Sequence, residues 1–121
     1  MAEQFDSSRP IYAQLVERLK AKILAGIYPP GGHLDSVRDL AAAAGVNPNT
    51  MQRALAELER TGLVYTQRTA GRFVTEDVAV VDSAKQELAH QQVGAFLRRM
   101  ERMGYDREQA AQLVRSWKEE A

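Results

Sequence analysis

Cysteine is absent from the sequence. Its absence excludes disulfides, thiolate metal sites and cysteine nucleophiles. No apolar run approaches the ~18 residues a membrane span needs. The opening Met1-Ala2-Glu3-Gln4-Phe5-Asp6 has neither the basic nor the apolar region of a signal peptide. Net charge is missing as well, with 16 Lys and Arg against 16 Asp and Glu. A neutral total speaks against a nucleic-acid partner, because phosphate binders are usually basic; a total can nevertheless hide a distribution. Only two histidines occur, His33 and His90, in different segments and without a His, Cys or carboxylate at ligand spacing. Ser7, Ser8, Ser36, Ser83 and Ser116 lie in no nucleophile elbow, and no phosphate-binding loop or dinucleotide fingerprint is present. These gaps predict a soluble cytoplasmic protein that is not an enzyme and uses no metal or cofactor.

What is present suits one compact domain with a short appendage: 121 residues, 45% of them hydrophobic and 26% charged. Residues 1–9 read as a loose polar tail. Tyr12, Leu15, Val16, Leu19, Ile23 and Leu24 then recur at helical spacing, with Pro10 suited to the first turn. Pro29-Pro30-Gly31-Gly32 makes a turn. A second helix is expected over Ser36–Ala44, capped by Ser36 and ended by Gly45. A third follows at about 48–61, with Asn47 as N-cap, Pro48 at its first position and Met51, Ala54, Leu55 and Leu58 inward. The period then changes. Leu63–Thr66 and Arg72–Thr75 read as two strands of a hairpin. Beyond Glu76-Asp77, helical spacing returns to Met103. A last helix opens on the capping box Asp106…Gln109 and carries Ala110, Leu113, Val114 and Trp117.

Three helices followed by a hairpin, with Gly45-Val46-Asn47 joining the second helix to the third, describe a winged helix-turn-helix. The fold expected is therefore mainly α with a small β-hairpin, and the boundaries fall at 1–9, 10–77 and 78–121. With the third helix's apolar stripe inward, Asn49, Thr50, Gln52, Arg53 and Ala56 face out. Amides, a hydroxyl and a guanidinium are the groups that read base edges, and the N-terminal residues of a recognition helix enter the major groove. An ordinary solvated helix face would look the same. Arg38 can project to a phosphate or pair with Asp35 or Asp39. Arg68 and Arg72, beside the hairpin loop, can enter a minor groove or be plain turn charges. Residues 9–75 hold nine basic residues against five acidic ones, a net +4. Glu3, Asp6, Glu76 and Asp77 lie outside that segment.

Several blocks of this sequence, in this order, resemble the GntR family of bacterial transcription regulators. They are Pro10-Ile11-Tyr12, Leu34-x-Ser36-Val37-Arg38-Asp39-Leu40-Ala41, Gly45-Val46-Asn47-Pro48-Asn49-Thr50, Ala54-Leu55-x-x-Leu58, Gly62-Leu63-Val64 and Gly71-x-Phe73-Val74. The opening block, the Asn-Pro-Asn-Thr turn and the short tail are similar to its YtrA-like subfamily. The resemblance implies a phosphate contact at Arg38. It implies recognition-helix contacts at Asn47, Asn49, Thr50, Gln52 and Arg53, and wing contacts at Arg68, Thr69 and Gly71. Two departures stand out: Asp35 where the subfamily commonly has proline, and Thr69 where its wing commonly has glycine. Arg72 adds charge beside that change.

Only about 45 residues follow the wing, too few to enclose a sizeable ligand pocket. Two amphipathic helices cannot bury their apolar faces alone. They read as a two-helix dimerisation arm with Phe96, Leu97, Met100, Met103, Leu113, Val114 and Trp117 as its interface or inner core; folding back on their own winged helix is the alternative. The function expected is a homodimeric, sequence-specific DNA-binding regulator, a repressor, on a pseudo-palindromic operator. Its partners are double-stranded DNA, a second copy and an unidentified effector at the dimer interface. The competing reading is a winged-helix protein-interaction module without sequence-specific DNA binding.

Overall fold

The computed structural model describes residues 4–120. The elements run α1 (Ile11–Leu24), α2 (Val37–Ala44), α3 (Pro48–Arg60), β1 (Val64–Gln67), β2 (Gly71–Val74), α4 (Val78–Arg102) and α5 (Arg107–Ser116). The chain divides into two compact units, Met1–Ser83 and Ala84–Ala121. The division falls inside α4, a little beyond the boundary at 77 that composition suggests.

The first unit is a three-helix bundle with a wing. Leu15, Leu19 and Ile23 of α1, Leu40, Ala41 and Ala44 of α2, and Met51, Ala54, Leu55 and Leu58 of α3 are all buried. Leu34, Leu63, Val64 and Val74 complete this core. Each large apolar side chain so buried contributes about 1.5–3 kcal/mol. The helix ends follow local chemistry. Ser36 Oγ accepts the Asp39 N–H at 3.1 Å. Gly45 turns left-handed at φ +73°, and the Val46 N–H closes on the Ala41 carbonyl. Asn47 Oδ1 accepts the Asn49 N–H at 2.8 Å, with Pro48 opening α3. Pro10 is the N-cap of α1, one residue before its first turn.

Three sequence expectations need correction here. Residues 4–9 are not a loose tail. The buried Gln14 amide accepts the Asp6 N–H at 2.8 Å and donates to the Asp6 and Arg9 carbonyls. Arg9 pairs with Glu17, and Arg18 lies over the Phe5 ring and donates to the Gln4 carbonyl. Residues 1–3 lie outside the described residues. The hairpin is shifted by one residue, pairing Val64 with Val74 and Gln67 with Gly71. The Gly-rich turn also does more than turn. His33 bridges Phe73, the Leu34 N–H bonds the Arg72 carbonyl, and the Val74 N–H bonds the Gly32 carbonyl, so β2 is flanked on both edges.

In the second unit, Gly104 at φ +93° ends α4. The capping box then opens α5: Asp106 Oδ1 accepts from Gln109 N at 2.8 Å, and Gln109 Oε1 accepts from Asp106 N at 2.9 Å. Ala110 is buried. Trp117 was expected on this helix but sits just past it, with extended backbone. Among the described residues, no helix is long and apolar enough to cross a membrane.

Candidate nucleic-acid interface

The α3 stripe that faces the core leaves Asn49, Gln52, Arg53 and Ala56 exposed and Thr50 half-buried. No acid stands in its first turn. Arg38 is exposed on α2 and has no ion pair with Asp35 or Asp39 among the described residues. Asn47 is exposed, but its side-chain oxygen is occupied by the cap. Arg53 lies over the ring of Tyr12 of α1, its guanidinium carbon 3.6 Å from the ring centroid. Pro10, Ile11, Tyr12, Asn49, Thr50 and Arg53 line one shallow depression there.

The wing is held at its base and at its tip. At the base, Glu59 of α3 accepts from Thr66 Oγ1 at 2.5 Å and from Arg72 Nε at 2.6 Å. The Thr66 hydroxyl first, and Arg72 with it, hold the Glu59 carboxyl below its ordinary pKa. Arg72 thus carries an internal partner, which the sequence could not show. At the tip, His33 Nε2 bonds the Ala70 carbonyl at 2.8 Å, and its ring meets Phe73 edge-on. Arg68 and Thr69 are exposed in the turn, which bonds Ala70 N–H to Gln67 carbonyl at 3.2 Å. Thr69 has negative φ, as do all described residues other than glycine. Gly71 alone in the wing is left-handed, at φ +93°, and a Cβ there would lie 2.9 Å from His33 Nε2. Gly71→Ala is therefore expected to unlatch the tip, read as faster amide exchange at residues 68–72 with the helices unchanged.

Charge is sorted in the same way. Glu17 pairs with Arg9, Glu57 with Arg60 and Glu59 with Arg72. Three of the five acids in residues 9–75 are thereby held by bases, and Arg38 and Arg68 have no ion pair among the described residues.

A model of the bacterial regulatory proteins of the gntR family matches residues 11–74. The chain belongs to the GntR family. The HTH-type transcriptional regulator YhcF of Bacillus subtilis is 35% identical over 119 residues, spanning 98% of each chain. The repressor YtrA of the same organism is 45% identical over 71 residues, 59% of this chain and 55% of that one. Among solved structures, a GntR family regulator from Listeria monocytogenes has a TM-score of 0.85 at 38% identity, covering 94% of this chain and all of that one. The DNA-binding domain of AraR in complex with operator ORX1 has a TM-score of 0.54 at 27% identity, over 62% of this chain and 93% of that one. The family assignment, the winged helix-turn-helix and the expectation of a regulator rather than an enzyme are thereby borne out.

Family membership gives meaning to the outward groups of α3. Sequence reasoning named them and missed three residues that hold the surface in shape: Tyr12, His33 and Glu59. Each acts through a partner distant in sequence, so spacing alone carries no signal for them.

Proposed function

We propose that this GntR family member is a homodimeric, sequence-specific transcription repressor of the cytoplasm. The reading rests on one observation above all. The N-terminal half of α3 presents exposed Asn49 and Gln52 and half-buried Thr50 with no acid among them, and Arg38 of α2 and Arg68 of the wing turn are exposed as well. Asn49 and Gln52 read base edges in the major groove. Arg38 and the donor end of Asn47 hold phosphates. Arg68 and Thr69 reach from the wing toward the minor groove, with Gly71 shaping the turn; Arg72 orients the wing through Glu59. AraR seated on its operator supports this use of the fold, and the name of YtrA supports repression.

The second copy joins through the arm. Phe96, Leu97 and Met100 are half-buried, while Met103, Leu113, Val114 and Trp117 remain exposed. Such a concentration of apolar surface marks an interaction face. A two-fold pair sets two α3 helices on half-sites about one turn apart, roughly 34–36 Å. An effector, as yet unidentified, would act at that interface.

Selection of bound fragments from random duplexes tests the reading; an inverted repeat is the expected product, and no enrichment would refute it. On the selected duplex, Arg38→Ala is expected to weaken all sequences alike and lower the salt slope by about one. Gln52→Ala is expected to relax preference at one base pair, by roughly 1–3 kcal/mol.

A further inference from the structure

The surface of α3 is divided among its neighbours. At about 100° per residue, Asn49 points directly away from the buried stripe of Met51, Ala54, Leu55 and Leu58. Gln52 stands two turns before Glu59 on one side, and Glu59 is bonded to Thr66 and Arg72 of the wing. Arg53 stands on the opposite side, drawn onto Tyr12 of α1.

We propose that Tyr12 is a positioning residue of the reading surface: its ring pins the Arg53 guanidinium to the α1 flank of α3. There Arg53 clamps a phosphate beside the groove and leaves base readout to Asn49 and Gln52. The proposal rests on the DNA-binding reading above.

The geometry supports it in three ways. At 3.6 Å from the ring centroid the guanidinium carbon is well within cation–π range of Tyr12. The Arg53 N–H donors have no hydrogen bond or ion pair among the described residues, and their fork matches phosphate oxygens. Much of arginine's rotamer freedom is then lost before DNA arrives, which lowers the entropic cost of the contact. Finally, no acid is paired with Arg53 among the described residues. The first turn of α1 has no acid, and Glu57, the next acid along α3, is bonded to Arg60.

The test measures the full chain against a duplex selected from random sequence with the wild-type chain, and against the same duplex shuffled, across a range of salt. Arg53→Ala is expected to weaken both duplexes by the same factor and lower the salt slope by about one. Tyr12→Leu is expected to weaken both about two- to five-fold, with no further loss when combined with Arg53→Ala. Tyr12→Phe, which keeps the ring, restores wild-type affinity. Should Tyr12→Leu fold poorly in a thermal melt, Arg53→Lys serves instead: it keeps the charge and slope but loses the stack, with the same two- to five-fold weakening expected. An equal Tyr12→Leu loss with and without Arg53, or an Arg53→Ala loss confined to the selected duplex, overturns the proposal. Failure of the DNA-binding reading has a different signature, because the wild-type chain then binds neither duplex in a salt-dependent way, and both proposals fall.

Discussion

Val114→Glu is expected to lower affinity for a two-half-site operator by about 10²–10⁴-fold while leaving binding to one half-site unchanged. Val114 is 60% exposed on α5, in an apolar groove it shares with Phe96, Met100, Leu113 and Trp117. In a single copy, a carboxylate at an exposed position disturbs little. In a dimer that covers the groove, the same carboxylate is buried without a partner and opposes association strongly. The winged helix would remain folded and would bind as one head rather than two. The second head of a dimer binds at a high effective concentration, set by the arm, and that gain disappears with the arm contact. Sedimentation and a titration on whole and half operators measure both quantities. A Val114→Glu chain that keeps the wild-type mass and the wild-type operator affinity would dispose of the arm as the dimer contact.

This expectation also explains how a neutral chain can serve a polyanion. The second unit is not the source of neutrality, since residues 84–121 carry seven basic and six acidic side chains. The cancelling acids are Glu3, Asp6, Glu76, Asp77 and Asp82, which precede residue 9 or fall between residues 75 and 84 in the sequence. Within the reading head, Glu17, Glu57 and Glu59 are engaged by Arg9, Arg60 and Arg72. On the function proposed above, affinity depends on a few placed arginines and on two-fold geometry, and less on bulk charge.

Legibility in the sequence followed the range of the interaction. The caps at Ser36, Asn47 and Asp106 and the left-handed Gly45 were readable because donor and acceptor lie two to five residues apart. The outward stripe of α3 was readable because helical period decides it. The wing was misplaced by one residue, since β-branched and aromatic composition starts the second strand at Arg72, whereas Gly71 already pairs with Gln67. Gln14 stands outside the apolar set that predicts α1, yet it is 2% exposed, its amide holding the Asp6 backbone. Trp117 keeps the apolar period of α5 after the backbone has left the helix. The supports of the reading surface were hidden for a stronger reason: Tyr12 meets Arg53, His33 meets Ala70 and Glu59 meets Arg72 only after the chain has folded.

Those supports act on a helix whose two faces can be separated by experiment. Leu55→Ala is expected to destabilise the first unit by about 2–5 kcal/mol. Leu55 has no exposed surface, and it lies on the inner stripe of α3 among Met51, Ala54 and Leu58. Truncation removes buried methyl groups and leaves a cavity that a close-packed core fills only in part. Denaturant unfolding of the full chain measures the loss as a lower midpoint. Asn49→Ala, on the outer face of the same helix, is expected to move that midpoint by no more than about 0.5 kcal/mol. Its backbone N–H, which bonds the Asn47 cap, survives the substitution. Binding reverses the order. Leu55→Ala weakens DNA binding only through the fraction unfolded, so stabilising the protein by cooling toward its optimum restores affinity and leaves base preference intact. Asn49→Ala loses base preference at every temperature at which the chain is folded. If Leu55→Ala instead relaxes base preference in the fully folded chain, the core of α3 sets the register of Asn49 and Gln52, and the two faces of the helix are not independent.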